Sequence, residues 1–307
     1  MRRAALLSAF AVVEFLAAPG AWAQAPAGAP PVVVNTQTVG ANLNITPKRV
    51  TFNPQQRTAS VYIFNQGTAP ATFDINLIDR AMLPDGQIVA LVDANAKPET
   101  KAIADQVRSA QKLLLVSPRR ATLAPGQGQT IRLRVGAMPP DAAGEYRTHL
   151  TVTTVPPPNV GVTAEQAANA NPNELRFQIT SIFGLSIPAI IRVGQNDVRA
   201  GIENAHIEYA VISLDGASEP KRTPMITFEL VRLGANSLFG NAEIRPVGRP
   251  GSEPLGAARG VGVYPEIARR KMSIPLNRAP GPGEKLEVTF TDDDTSPGKP
   301  LATATVP

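Results

Sequence analysis

Leu175-Arg176-Phe177-Gln178-Ile179-Thr180-Ser181-Ile182-Phe183-Gly184-Leu185-Ser186-Ile187 is the stretch that decides the fold class. Apolar side chains stand at Leu175, Phe177, Ile179, Phe183, Leu185 and Ile187, and only Ser181 breaks that parity. The other parity carries Arg176, Gln178, Thr180, Gly184 and Ser186, with Ile182 the exception. A period of two belongs to a strand with one apolar face. Thirteen residues at ~3.3 Å each give roughly 40 Å, about twice the usual strand length. A strand of that length is either a long core strand with a bulge near Ser181, or one that outruns its sheet and offers its apolar row to another molecule.

The composition around it agrees with a β protein. The chain has 307 residues, enough for about two domains, and its 30 Pro and 24 Gly fall between short apolar runs. It has no cysteine, which excludes disulfides, thiolate zinc sites and a Cys nucleophile. The N-terminus reads as a secretory signal over residues 1–23. Arg2 and Arg3 open it, Ala4 to Ala18 form an apolar core interrupted by Glu14, and Ala21-Trp22-Ala23 offers a small-x-small cleavage site. Pro19-Gly20 ends the apolar run too early for a bilayer span, and no later segment is long and apolar enough for one. The expected product is an exported, soluble chain. Its positive balance does not point to nucleic acid. The basic residues are scattered along strand-like segments, and the dense spots Arg119-Arg120 and Arg269-Arg270-Lys271 have no aromatic platform beside them, so a solvated sheet face is expected.

In chain order, residues 24–38 form a flexible lead. Strands are expected at Leu43 to Phe52, bent at Pro47, at Thr58 to Asn65, and at Ala71 to Ile78 with Phe73, Ile75 and Leu77 on one face. Pro84-Asp85-Gly86 marks a turn. Residues 98–112 have helical spacing at Ile103, Val107 and Ala110, with Glu99 near the start and Lys112 at the end. They predict one short helix inside an insertion at 79–112. From Leu113 to Val135 the chain reads strand, Pro125-Gly126 turn, strand, with Gln129, Ile131, Leu133 and Val135 on one parity. Gly144 to Pro156 is another strand, and 156–174 is a loop without apolar period. That makes about seven strands by Ile191 at sandwich-like spacing, with Pro188 expected to end the long one. The first domain is thus 39–191 and the second 192–296. Strands of the second are expected at His206–Ser213, Met225–Arg232, Gly240–Pro246, Gly256–Val263, Arg270–Leu276 and Lys285–Thr291, with 297–307 as a tail.

Three segments carry a resemblance. Ser117-Pro118-Arg119-Arg120-Ala121-Thr122-Leu123-Ala124-Pro125-Gly126, continuing through Gln129-Thr130-Ile131-Arg132-Leu133, resembles the serine-proline step, leucine-x-proline-glycine turn and following strand of the PapD-like periplasmic pilus-assembly chaperones. Asn44-Ile45-Thr46-Pro47-Lys48-Arg49-Val50-Thr51-Phe52 is similar to that family's first strand, and Gly144-Glu145-Tyr146-Arg147-Thr148-His149-Leu150-Thr151-Val152 to its sixth. Gly260-Val261-Gly262-Val263-Tyr264-Pro265, followed by Arg269-Arg270, resembles the divergent chaperones of the group. The resemblance implies an all-β fold of two immunoglobulin-like β-sandwich domains set at an angle. It implies an ATP-independent periplasmic chaperone, with no cofactor and no metal, whose partners are pilus or fimbrial-type subunits and an outer-membrane usher. In that family the long strand fills the subunit's open groove by strand addition. Leu175, Phe177 and Ile179 match the donated row, and Arg49 matches the basic residue that grips the subunit's C-terminal carboxylate. The family's second anchor, a lysine on the long strand, is missing: no Lys or Arg lies between Arg176 and Arg192, and Ile182 or Gly184 occupies its place.

Nothing in the sequence favours an enzyme. His149 and His206 fall in different domains as ordinary strand residues, and no Gly-x-Ser-x-Gly elbow occurs. Asp292-Asp293-Asp294 lacks the spaced ligands of a calcium loop and reads as a solvated turn. The alternative to a chaperone is an exported structural or adhesive module of two β-sandwiches with no client.

Overall fold

The structure, a computed structural model, describes residues 32–37, 42–156, 175–180, 182–214, 216–249 and 251–306, with the backbone alone at 32–37 and 175–180. The expected signal segment and lead therefore lie outside the described residues, save for one strand, β1 (Val32–Gln37). Alternation builds the strands of the first sandwich. These are β2 (Leu43–Thr46), β3 (Val50–Phe52), β4 (Thr58–Asn65) and β5 (Ala71–Ile78). A small hairpin, β6 (Arg80–Met82) with β7 (Ile88–Ala90), and two short helices, α1 (Leu91–Ala96) and α2 (Pro98–Ala104), form the insertion. Then come β8 (Leu114–Ser117), β9 (Arg120–Leu123), β10 (Gly128–Val135), β11 (Gly144–Val155), β12 (Leu175–Thr180) and β13 (Gly184–Val193).

One sheet runs β2-β4-β10-β8 and the other β3-β13-β11-β5-β9. On β10, Ile131, Leu133 and Val135 are buried while Arg132 and Arg134 are exposed, as period two requires. Phe52, Phe73, Ile131, Leu150 and Ile187 from the two sheets meet in one core. Each such fully buried side chain contributes ~1.5–3 kcal/mol of transfer free energy. The chain that opens the domain changes sheet: β2 pairs with β4, whereas β3 pairs in parallel with β13. Strands β1 and β12 form a two-stranded sheet of their own.

The second sandwich holds β14 (Ala200–Ile212), β15 (Lys221–Arg232), β16 (Leu238–Pro246), β17 (Gly256–Val263), β18 (Arg269–Pro275), β19 (Leu286–Asp292) and β20 (Pro300–Val306). Its sheets run β14-β15-β18 and β17-β16-β19-β20 around a core of Phe228, Leu238, Ile244, Val288 and Phe290. The fold is all-β, with two sandwiches in series.

Four expectations change. The thirteen-residue strand is two strands, β12 and β13, and Ile182 and Phe183 between them are in neither. The break falls where the apolar parity fails. Pro188 does not end the strand, which continues to Val193. Proline removes a ladder hydrogen bond only on a paired side, and β3 begins its pairing with β13 one residue later, at Ala189. The predicted single helix over 98–112 is two shorter ones, α1 and α2, meeting at Lys97 with Pro98 in the first turn of α2. After Ala104 the chain leaves the helix because its backbone is drawn to β11: Ala110 N–H donates to Arg147 C=O and Arg147 N–H to Arg108 C=O. The expected tail contains β20, whose alternating small and apolar residues pair antiparallel with β19.

The insertion lies against the second sandwich as well as the first. Met82 is buried in the second core, its N–H donates to Glu266 Oε1 at 2.8 Å, and Pro84 C=O accepts from Lys271 N–H at 2.8 Å.

Candidate functional site

The outer face of the five-stranded sheet meets the second sandwich. On β13, Ile187, Ala189 and Ile191 point into the first core, so Gly184, Ser186, Pro188, Ile190 and Arg192 point outward. Exposure declines along that outward row. Gly184 and Ser186 are open, Pro188 is half-buried, and Ile190 is part of the second core. The register sets the neighbours. Pro188 lies opposite His149, which lies opposite Ile78. On the other side Ala189 pairs with Val50, so Arg49 stands beside Pro188. The lateral row is thus Arg49, Pro188, His149, Ile78. Arg49 reaches the second sandwich, with its guanidinium carbon 4.8 Å from the Phe239 ring centroid. The His149 ring stands edge-on to Tyr264 at 6.3 Å.

Two buried ionic clusters close this face. In the first, Arg192 Nε donates to Glu145 Oε2 at 3.0 Å, and Arg192 Nη2 lies 2.8 Å from Asp294 Oδ2. Asp294 Oδ2 also accepts from Arg49 Nη2 at 2.9 Å. Ser237 Oγ accepts from Arg49 Nη2 and Arg192 Nη2, each at 3.1 Å, and donates to Glu145 Oε2 at 3.1 Å. Burial works against the charge on Arg192, and Glu145 and Asp294 more than offset it, raising its pKa. In the second cluster Arg147 pairs with Glu266, donates to Arg80 C=O at 3.0 Å and lies 3.7 Å from the Tyr264 ring centroid. His149, buried among these groups, has its pKa pushed down to about 2, first by burial and then by Arg147, Arg80 and Arg49.

Some buried polar atoms here have no partner among the described residues. They include Arg49 Nε and Nη1, Arg80 Nε, Arg147 Nη1 and His149 Nδ1, and also the carboxylate oxygens Asp79 Oδ1 and Glu145 Oε1. A buried polar atom without a partner costs ~1–3 kcal/mol. The arginine nitrogens among them, four against two carboxylate oxygens, favour an acceptor-rich group at this face.

The edge of β13 adds a second feature. Because β2 pairs with β4 and only β3 reaches β13, residues 184–188 of β13 have β11 on one side and, among the described residues, no strand on the other. Ile182 and Phe183 stand exposed at the head of that edge. An open edge of this kind takes a further strand.

Arg49, singled out in the sequence, is brought to this site, buried and facing the second sandwich. Leu175, Phe177 and Ile179 lie on β12, and their side chains are outside the described residues. Ile182 is exposed and Gly184 opens β13. Two expectations about single residues are corrected. His149 is not a satisfied strand residue, since Nδ1 is buried without a partner. The Asp292–Asp294 turn is only partly solvated, with Asp293 exposed and Asp294 half-buried. Asp292 is buried and accepts from Asp294 N–H, Thr295 Oγ1 and Ser296 N–H, which fixes Asp294 for the first cluster. The basic spots lie mainly on a solvated face, as expected: Arg119, Arg120, Arg269 and Lys271 are exposed, with Arg120 paired to Asp74 and Arg269 to Glu203 and Glu229, and Arg270 is half-buried and donates to Gly262 C=O. Sequence reading missed Glu145, Arg147, Arg192, Ser237 and Glu266. The available signal was Glu145, Arg147 and His149 on one parity of β11, a pattern that also describes a solvated strand face.

The chain is similar in fold to solved structures of pilus-assembly chaperones. DraB, a chaperone of E. coli, is 12% identical, with 89% of this chain and 98% of that chain covered, at a TM-score of 0.42. A structure of the Salmonella enterica SafA pilin in complex with the SafB chaperone is 12% identical, with 88% and 98% covered, at 0.40. The CsuC–CsuE chaperone–tip adhesion subunit complex from the archaic chaperone-usher Csu pili of Acinetobacter baumannii is 12% identical, with 87% and 98% covered, at 0.40. No family model matches the chain, and no curated protein matches it. Among the described residues no helix is long and apolar enough to cross a membrane.

Proposed function

We propose that this protein is an ATP-independent periplasmic chaperone. It binds pilus or fimbrial-type subunits by strand addition, caps their unfinished sandwich and hands them to an outer-membrane usher. The observation that carries the reading is the open edge of β13 over residues 184–188, ending beside Arg49. A client strand laid on that edge gains main-chain hydrogen bonds, and an apolar row from the chaperone fills the client's groove. Leu175, Phe177 and Ile179 are the proposed donated row, and each buried side chain would contribute roughly 1.5–3 kcal/mol to the complex. Arg49 is the proposed anchor for the client's terminal carboxylate, and its unpartnered Nε and Nη1 support that role. The signal-like N-terminus supports export to the periplasm.

Tagged protein isolated from the periplasm tests this. The expected co-purifying partner is a subunit with an incomplete sandwich, identified by mass spectrometry, and Arg49→Ala should weaken its capture by ~1.5–3 kcal/mol, read at equal folded protein because the change also removes the Arg49–Asp294 pair. Wild-type protein that emerges alone, with its subunits soluble and assembled elsewhere, contradicts the reading in favour of a structural module.

A further inference from the structure

Two buried side chains with unpartnered nitrogens flank one residue of β13. Arg49 and His149 stand on either side of Pro188 on the outer face, with Arg49 reaching Phe239 and His149 reaching Tyr264 of the second sandwich. Their strands are two lateral steps apart, roughly 10 Å. The side chain of Arg49 is 8% exposed and His149 is 3% exposed. Arg49 Nε and Nη1 and His149 Nδ1 lack hydrogen-bond partners among the described residues. Of the nearby carboxylates, Glu266 is bonded to Arg147 and Asp294 to Arg192 and Arg49 Nη2, while Glu145 Oε1 and Asp79 Oδ1 are buried without a partner among the described residues.

The approach to this point is also built in. The outward row of β13 is open at Gly184 and Ser186 and closes at Pro188. A strand added along that edge meets Val50, the start of β3, in line ahead of it, and so ends at Arg49. Pro188 has no N–H to continue a ladder. A chain that stops there, running parallel to β13, places its terminal carboxylate over Pro188.

We propose that this carboxylate seats between Arg49 and His149, with the Nδ1–H of a neutral His149 as the second donor. The inference rests on the strand-addition reading above and assigns the half of the anchor that the sequence left empty. Burial first, and then Arg147, Arg80 and Arg49, hold the imidazole uncharged. A neutral donor therefore adds a directed hydrogen bond without another buried cation.

The test uses the full mature chain and a short synthetic peptide of alternating valine and threonine, prepared with a free C-terminal carboxylate and as the C-terminal amide. Wild type should prefer the carboxylate about tenfold or more, as expected for a charge-assisted hydrogen-bonded group. His149→Phe should lose most of that preference, His149→Gln should retain most of it, and the imidazole nitrogen signals of wild type should report Nδ1–H on titration. If His149→Phe keeps the full preference while Arg49→Ala abolishes it, the role of His149 is overturned and the strand-addition reading stands. If wild type does not distinguish carboxylate from amide, both fall. Should His149→Phe fail to fold, an Nδ1 signal that does not move on titration overturns the proposal.

Discussion

His149 shows how a single residue records the environment of the whole site. Its ordinary pKa is near 6.5, and burial with Arg147, Arg80 and Arg49 around it takes the folded value to about 2. A folded-state value below the unfolded one favours the neutral ring. The stability it confers is therefore present above pH ~6.5 and drains away as pH falls toward the folded value, because only the unfolded chain takes up the proton. Between pH 6.5 and 4.5 the wild type should lose about 2–3 kcal/mol more stability than His149→Gln. Denaturant unfolding across that range measures this, and parallel curves for the two proteins contradict it. The arginines around the ring were visible in the sequence only as strand charges. Their burial depends on a second sandwich closing over β11, and no local pattern encodes that closure.

At the scale of elements, alternation was legible and interruptions were not. β10 and β5 could be read from their side-chain parity alone, because one face is core and the other is not. The break between β12 and β13 and the passage of β13 through Pro188 depend on what each strand pairs with, which parity does not carry. The same holds for the insertion. Its helical spacing was visible, but Ala110 left the helix to bond β11 and join the first core, while Val107 packs against Ala81, Ala94 and Ala104. Met82 is the residue that ties this insertion into the second core. Met82→Ala should cost about 2–5 kcal/mol through the lost burial and the cavity left behind. Thermal or denaturant unfolding checks this, and a loss within ±0.5 kcal/mol, the range of ordinary surface changes, contradicts the buttressing contact.

At the scale of the molecule, the proposed function requires an exported chain of two sandwiches whose open edge on β13 receives another protein. Export has its own check. Cleavage after Ala23 removes Trp22, the only tryptophan. The periplasmic protein should therefore show tyrosine emission alone and begin at Gln24, and a secreted form that keeps Met1 and tryptophan fluorescence contradicts it. The all-β class, the two sandwiches and Arg49 were within reach of the sequence because periodicity, turn residues and one motif carry them. The inter-sandwich clusters were not, since they join residues far apart in the chain, such as Glu145 with Arg192, 47 positions apart, and Arg49 with Asp294, 245 apart.

In the proposed complex a client strand adds to β13 and ends at Arg49. A crystal structure of the complex isolated from the periplasm decides this. The expected result is a client strand running parallel to β13 along residues 184–188, with its terminal carboxylate within hydrogen-bonding distance of Arg49. A client bound elsewhere, or one whose C-terminus lies in solvent away from Arg49, contradicts it.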